Sequence, residues 1–330
     1  MLVQSLRGGA VELVHRVSLA VVDNKGKRVA WTGDPGLRTF MRSAAKPFQA
    51  IPLVADGVME RYGITTEELA LACASHNSEP RQVSVVRGLL AKIGCEEGAL
   101  VCGPHRPLFC DFAVREPDTP RPDEVLPRSR LTSNCSGKHT GMLALAAHRG
   151  WPLAGYERSD HPVQRRCKAE VARWCDVAVA SIGEGVDGCG VVSFHVPLDA
   201  MALAFARLGA SSEAAAVAVR SAMMGHPDLI AGQDRLCTAL MTLYPGEVLA
   251  KVGAAGVYGV ALPKRGLGLA LKLEDGHARA TMAALLAVLE QLGLNPPPRS
   301  ALPRFAEFPV FNTLGNRVGT LRASGQITFD

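Results

Sequence analysis

Two stretches at opposite ends of the chain set a polar turn between apolar runs. Residues 17–32, VSLAVVDNKGKRVAWT, set Asp23-Asn24-Lys25-Gly26 between two apolar runs, the pattern of a β-hairpin. Residues 309–323, PVFNTLGNRVGTLRA, do the same around Gly315-Asn316. Strands near both ends of a chain often share a sheet, so the pattern predicts one antiparallel sheet built by both termini. Between them the period becomes helical. Phe48, Ile51, Val54 and Val58 recur along one face after Ser43, and Val83, Val86 and Leu90 follow Ser78-Glu79-Pro80, which reads as a capping serine with proline in the first turn. Further helices are predicted over 137–149, behind a glycine turn, and after Ser159-Asp160, with Val163, Cys167 and Val171 on one face. Two more follow over 212–224 and 233–244. Strands return over 248–252, 256–262 and 267–273. A last helix, 278–292, ends before Asn295-Pro296-Pro297-Pro298.

Strands, then many helices, then strands and a helix argue for an α+β fold and against alternating βαβ units. The expectation is one catalytic domain over residues 1–330. Its helix-rich portion covers about 43–245, and its sheet comes from about 10–42 and 246–330. The proline-rich stretches 117–127 and 296–303 read as loops.

Composition narrows the function classes. Of 330 residues, 48% are hydrophobic, enough apolar side chain to offset chain entropy and exclude disorder as the dominant state. The net charge of +5 is spread along the chain. Its most basic-looking stretch, 120–130, is broken by Asp123 and Glu124, so a nucleic-acid partner is not expected. No run approaches the roughly 18–20 apolar residues of a membrane helix. The N-terminal residues lack a basic-then-apolar signal, so the cytoplasm is the expected location. There nine cysteines stay mostly reduced, and the odd count does not suggest a disulfide framework.

Five segments could carry chemistry. In Arg42-Ser43-Ala44-Ala45-Lys46, serine and lysine three apart share a helix face, the S-x-x-K arrangement in which an amine takes the serine proton. Ala74-Ser75-His76-Asn77-Ser78-Glu79-Pro80 holds a second serine before a helix. If Ser78 is the cap, Ser75, His76 and Asn77 are exposed polar residues that need another reason. Asn134-Cys135-Ser136-Gly137-Lys138-His139 packs thiol, amine and imidazole into five residues, and a cysteine near Lys and His is a nucleophile or a metal ligand. Val186-Asp187-Gly188-Cys189-Gly190 suggests tight backbone and a pointed thiol. Cys135 and Cys189 with a nitrogen donor make a partial zinc set, closed by water or Asp187, although the spacing is not that of a zinc finger. Last, Lys251-Val252-Gly253 ends a predicted strand, where the β-lactamase class carries K-[ST]-G. Val252 lacks that hydroxyl, which weakens a β-lactam reading.

Together, RSAAKPFQA, ASHNSEP, NCSGKHTGM, DGCGVVSFHVPL and KVGAAGV, in this order, resemble the asparaginase II family, the rhizobial-type or class 3 L-asparaginases. The resemblance runs from about Val17 to the C-terminus. It implies a fold similar to serine β-lactamases and serine-dependent glutaminases, a homodimer, and hydrolysis of L-asparagine to L-aspartate and ammonia. Carried onto this chain, it implies two Ser–Lys pairs, Ser43 with Lys46 and Ser75 with Lys251, where Lys272 in ALKLEDG rivals Lys251. It also implies a zinc held by Cys135, Lys138 and Cys189, with an orienting or modulating role. Arg42 would take the substrate α-carboxylate and Asp187 the α-amine, and Asn134 and His139 are further candidate substrate contacts. Ser43 is assigned attack by its S-x-x-K context. Glutamine hydrolysis, a cysteine nucleophile built from Cys135, His139 and Asp187, and a non-catalytic zinc- or amino-acid-binding protein are the rival readings.

Overall fold

The hairpin stretches at the two ends fold as strands of one sheet. The computed structural model describes residues 1–105, 108, 128–295 and 300–330. The expected loop at 117–127, and 296–299 of the second proline-rich stretch, lie outside these residues. Pro303 opens a one-turn helix, Pro303–Ala306, in place of an expected loop end. In chain order the strands are β1 (Leu2–Arg7), β2 (Ala10–Asp23), β3 (Arg28–Thr32), β4 (Arg38–Phe40), β5 (Gly183–Val186), β6 (Val192–Pro197), β7 (Leu249–Gly253), β8 (Val257–Leu262), β9 (Leu267–Leu273), β10 (Glu307–Phe311), β11 (Arg317–Ser324) and β12 (Thr328–Phe329). The chain divides into two compact units: 1–44, 196–210 and 243–330 form one, and 45–195 and 211–242 the other.

The first unit holds a nine-stranded sheet. Seven strands run in the order β10-β11-β1-β2-β9-β8-β7, while β3 pairs with β2 and β12 with β3. The two termini meet directly, since antiparallel β1 and β11 run from Leu2 opposite Ser324 to Arg7 opposite Gly319. The β2–β3 hairpin turns where Asp23 Oδ1 accepts the backbone N–H groups of Lys25 and Lys27. β1 starts well before the sheet start expected near residue 10. Its inward positions include Val3 and Ser5, so the apolar alternation is broken by a buried serine. The helix Leu198–Ala210 lies on β2, β8 and β9. It comes close because the strands offer small residues there. A Cβ on Gly259 would collide with the Phe205 ring, and one on Gly268 with the backbone of Ala202 and Ala206. Val260, Leu269 and Leu271 alternate with these positions and point to the other face, equally buried. This helix belongs with the sheet, although it falls inside the stretch expected to be the helix-rich portion.

The second unit is helical apart from the β5–β6 hairpin, in which Gly183 faces His195 and Val186 faces Val192. At its centre runs Lys46–Ala55, buried at every residue from Lys46 to Leu53. The helices Thr66–Ala72, Ser136–His148, Pro162–Cys175 and Ala214–Gly225 pack around it. Val163, Cys167 and Val171 face inward as their spacing predicts, with His161, not Ser159 or Asp160, as the N-cap. Asp56, just beyond the central helix, accepts from Arg166 at 2.9 Å and pairs with Arg149 at 2.9 Å. Burial alone would raise the Asp56 carboxyl, but the two guanidinium groups outweigh it and hold the carboxyl below its ordinary value. The helix Pro80–Lys92 is capped by Glu79, whose capping box uses Gln82. Ser78 is not the cap expected from sequence. It sits in the left-handed region at φ 71°, and its hydroxyl donates to the Thr132 carbonyl at 2.7 Å. Among the described residues, no single helix is long and apolar enough to cross a membrane.

Candidate active site

Lys46 is the first residue of the buried central helix, and its side chain is itself only 1% exposed. Burying an ammonium-bearing chain is costly unless its donors are satisfied. The Lys46 Nζ donates to the Ala74 carbonyl, to Ser75 Oγ at 3.1 Å and to the Asn134 carbonyl at 3.4 Å. Lys46, expected to serve Ser43, thus has its amine on the hydroxyl of the second serine.

Ser75 lies in the loop that follows Thr66–Ala72, with its backbone N–H on the Ile230 carbonyl at 2.8 Å. Ser75, His76 and Asn77, read from sequence as exposed, are buried. Their polar atoms are met within the unit, which is what allows the burial. His76 Nδ1 accepts from the Ser78 N–H at 3.1 Å, so its ring proton is on Nε2 and is donated to Ser136 Oγ at 2.8 Å. The Ser136 hydroxyl in turn donates to the Leu131 carbonyl at 2.9 Å. Burial, and then the Lys46 charge, push His76 down to about 3, so its imidazole is neutral at ordinary pH. Asn77 accepts from the buried Arg235 at 2.8 Å and donates to the Gln233 carbonyl at 3.0 Å. These contacts fix the Ser75 loop against the start of the helix Ser136–His148.

That helix start supplies the next groups. Cys135 is its N-cap and Lys138 lies in its first turn, both buried. Its close approach to Thr66–Ala72 depends on Gly137, where a Cβ would run into the Leu71 carbonyl. Cys189 comes from the β5–β6 turn, closed by Asp187 N–H to the Val191 carbonyl and Gly190 N–H to the Asp187 carbonyl, both at 2.8 Å. Gly190 has φ +90°, which the glycine permits without strain. Cys135 and Cys189 share a hydrogen bond, which holds the Cys135 thiol well below its ordinary value and pushes Cys189 up. Burial opposes the Cys135 shift, and the charges of Lys46 and Lys138 favour it. Lys138 Nζ donates to Cys189 Sγ at 3.0 Å. Its burial would lower it, but the charges of Cys189 and Cys135, with Asp187 nearby, outweigh this and raise it.

Two sulfurs and one amine thus converge. Among the described residues no three His, Cys, Asp or Glu side chains form a metal-binding group, so a zinc here would need Lys138 as third donor. In a tetrahedral site with ordinary Zn–S and Zn–N bonds, a sulfur and a nitrogen ligand lie about 3.5 Å apart. The 3.0 Å between Lys138 Nζ and Cys189 Sγ is close to that, and Lys138 would have to give up a proton to bind the ion.

Arg42, Ser43, Lys251 and Lys272 lie in the sheet unit. Arg42 takes the left-handed conformation, φ 50°, at the start of the 3-10 turn Arg42–Ala45, which also holds Ser43. Such backbone strain is concentrated at functional positions. Lys251 on β7 is fully buried and donates to the Val252 carbonyl at 2.8 Å. Its rival Lys272, on β9, is partly exposed, with its amine on the carbonyls of Ala255 at 2.7 Å and Leu273 at 2.5 Å. Burial lowers the Lys272 amine and the Arg42 charge adds to the shift, against the carboxylates of Asp275 and Glu274. Sequence reasoning missed Tyr156, whose hydroxyl meets His139 Nδ1 at 2.6 Å. Nothing in its surroundings, GYERSD, marks it.

No curated protein matches the chain. Among solved structures, the chain is similar to Mglu in its native form, with 16% identity over 87% of this chain and 67% of that one, at a TM-score of 0.46. For native Mglu in 4.3 M NaCl the values are 16%, 85%, 62% and 0.39. For a β-lactamase from Mycobacterium bovis they are 15%, 83%, 94% and 0.35. The chain therefore spans about 60–69% of the Mglu chains, and scores this low carry no argument about the site. The sequence model of the L-asparaginase II family matches residues 3–323. That span takes in all five motifs and both ends of the sheet, and the chain belongs to the L-asparaginase II family.

Proposed function

We propose that this protein hydrolyses L-asparagine to L-aspartate and ammonia with a serine nucleophile and lysine amines as proton carriers. Family membership supports an amidohydrolase with a small-molecule substrate. The observation that carries the finer reading is the buried Lys46 amine 3.1 Å from Ser75 Oγ, beside the Cys135–Cys189–Lys138 cluster. In the reaction a serine oxygen bonds to the side-chain amide carbon, and its proton passes to a lysine amine. The C–N bond breaks, and the lysine proton leaves with ammonia. Water then attacks the ester and gives a proton to the lysine, the ester C–O bond breaks to free L-aspartate, and the lysine returns the proton to the serine oxygen. The two pairs are Ser43 with Lys46, which the turn Arg42–Ala45 joins directly, and Ser75 with Lys251, and the Lys46 amine also reaches Ser75 Oγ. Lys251 completes the second pair, its full burial favouring it over Lys272. Arg42 and Asp187 take the α-carboxylate and α-amine, with Asn134 and His139 as further contacts. Cys135, Cys189 and Lys138 would hold a zinc, which when bound would polarise or orient a substrate oxygen. The active form is a homodimer, tested by a scattering mass of twice that of the chain.

Purified protein given L-asparagine is expected to release ammonia and L-aspartate in equal amounts, with L-glutamine the poorer substrate. Faster release from glutamine would make the protein a glutaminase, and binding of asparagine without turnover would make it a binding protein. Zinc is expected at about one per chain and lost on replacing Cys135 and Cys189 together. Unchanged zinc content in that double variant would contradict the metal assignment.

A further inference from the structure

His139 is fully buried on the helix Ser136–His148, and its Nε2 has no hydrogen-bond partner among the described residues. A buried polar atom without a partner needs an explanation, because its desolvation is uncompensated. The other ring nitrogen is committed. Tyr156 Oη accepts from the Val101 N–H at 3.1 Å and lies 2.6 Å from His139 Nδ1. With Val101 as donor to the phenol oxygen, the phenol proton goes to Nδ1, and the ring proton of His139 is then on Nε2. The group without a partner is thus an N–H donor that needs an acceptor. Helical side chains lean toward the N-terminus over the residue four back. For His139 that residue is Cys135, whose sulfur is hydrogen-bonded with Cys189 and Lys46. The charges of Lys138 and Lys46 both act on the ring, which places it beside the same cluster. His139 forms no three-residue metal group with the cysteines, so a ligand role is not what its geometry offers.

We propose that Tyr156 is a positioning residue that holds His139 as an Nε2–H donor for a carboxylate or carbonyl oxygen of the bound amino acid. The inference rests on the amidohydrolase reading and adds a donor of fixed tautomer to it. Among the described residues there is a competing acceptor. Gln164 Oε1 is also buried without a partner, and its amide nitrogen bonds the Tyr156 carbonyl at 2.8 Å. A water shared by Gln164 and His139 would satisfy both without any substrate.

The test is a two-bond ¹H–¹⁵N imidazole spectrum of the whole protein, with the His139 signals assigned by their loss in His139→Gln. The expected result is a protonated Nε2 and an unprotonated Nδ1 in the free protein, with the Nε2–H signal moved by saturating L-aspartate. Tyr156→Phe should lose the single tautomer and raise KM for L-asparagine about tenfold, the loss of one hydrogen bond, with zinc content unchanged. If the wild type turns over L-asparagine and binds L-aspartate while the His139 signal stays still, the water has taken the donor and this inference alone is overturned. A protonated Nδ1, or a single tautomer surviving in Tyr156→Phe, overturns it as well. Absence of both turnover and L-aspartate binding defeats the amidohydrolase reading together with the inference.

Discussion

His76 has both ring nitrogens committed, Nδ1 to the Ser78 N–H and Nε2–H to Ser136, so a second ring proton could enter only by breaking a bond. Its value near 3, against an ordinary 6.5, makes it a source of acid sensitivity. Between those values the unfolded chain binds a proton that the folded chain does not, so stability rises with pH through that window and falls on acidification. Going from pH 7 to pH 5 should cost about 2 kcal/mol from this residue alone. Urea midpoints measured at the two pH values test it. The wild type should lose that much more than His76→Asn, and equal losses in both would remove His76 as the cause. Little of this was legible in the sequence, where His76 reads as a polar residue in a loop. Its partner Ser136 lies far along the chain, and so does Ser75 from Lys46. The motifs that hold these residues could be read, but not which amine would meet which hydroxyl.

At the scale of elements, close approaches through glycine set where helices can sit. Gly268 lets Leu198–Ala210 lie on β9, and its Cβ would meet backbone, which cannot turn aside as a flexible side chain can. Gly268→Ala should therefore cost at least the 1–3 kcal/mol typical of overpacking, about 2 kcal/mol as a working value, read as a drop in the urea midpoint. Gly98→Ala, where a Cβ meets nothing within 4 Å, should change it little. Equal effects in the two variants would show that the packing at Gly268 is not tight. Helices with one apolar face, such as Pro162–Cys175, were readable from their spacing. Leu198–Ala210 was not, because it is buried nearly all round and so has no polar face to give a period. The strand Gly183–Val186, GEGV, has too little apolar alternation to read as a strand. It still matters, because its hairpin holds Cys189 in place.

At the scale of the whole molecule, the chain joins a sheet closed by its two ends to a helical unit around a buried lysine. The terminal hairpins were legible because apolar runs flank a polar turn, although Val17 to Val22 are buried on both faces of the sheet. The pairing of β1 with β11 was legible only as a sharing of one sheet, since a buried Ser5 interrupts the pattern. Family membership adds that this architecture belongs to amidohydrolases, and the Lys46–Ser75 contact supplies a serine that an amine can serve. The central claim is that this contact drives amide hydrolysis. It is tested most directly by the rate of ammonia release from L-asparagine in the wild type, Ser75→Ala and Ser43→Ala, each checked for folding by circular dichroism. We predict turnover in the wild type and a loss of at least about a hundredfold in Ser75→Ala, the scale of removing a positioned proton-transfer partner or nucleophile. A comparable loss in Ser43→Ala would accord with two cooperating Ser–Lys pairs. A folded Ser75→Ala protein that keeps the wild-type rate within a few-fold would contradict the claim.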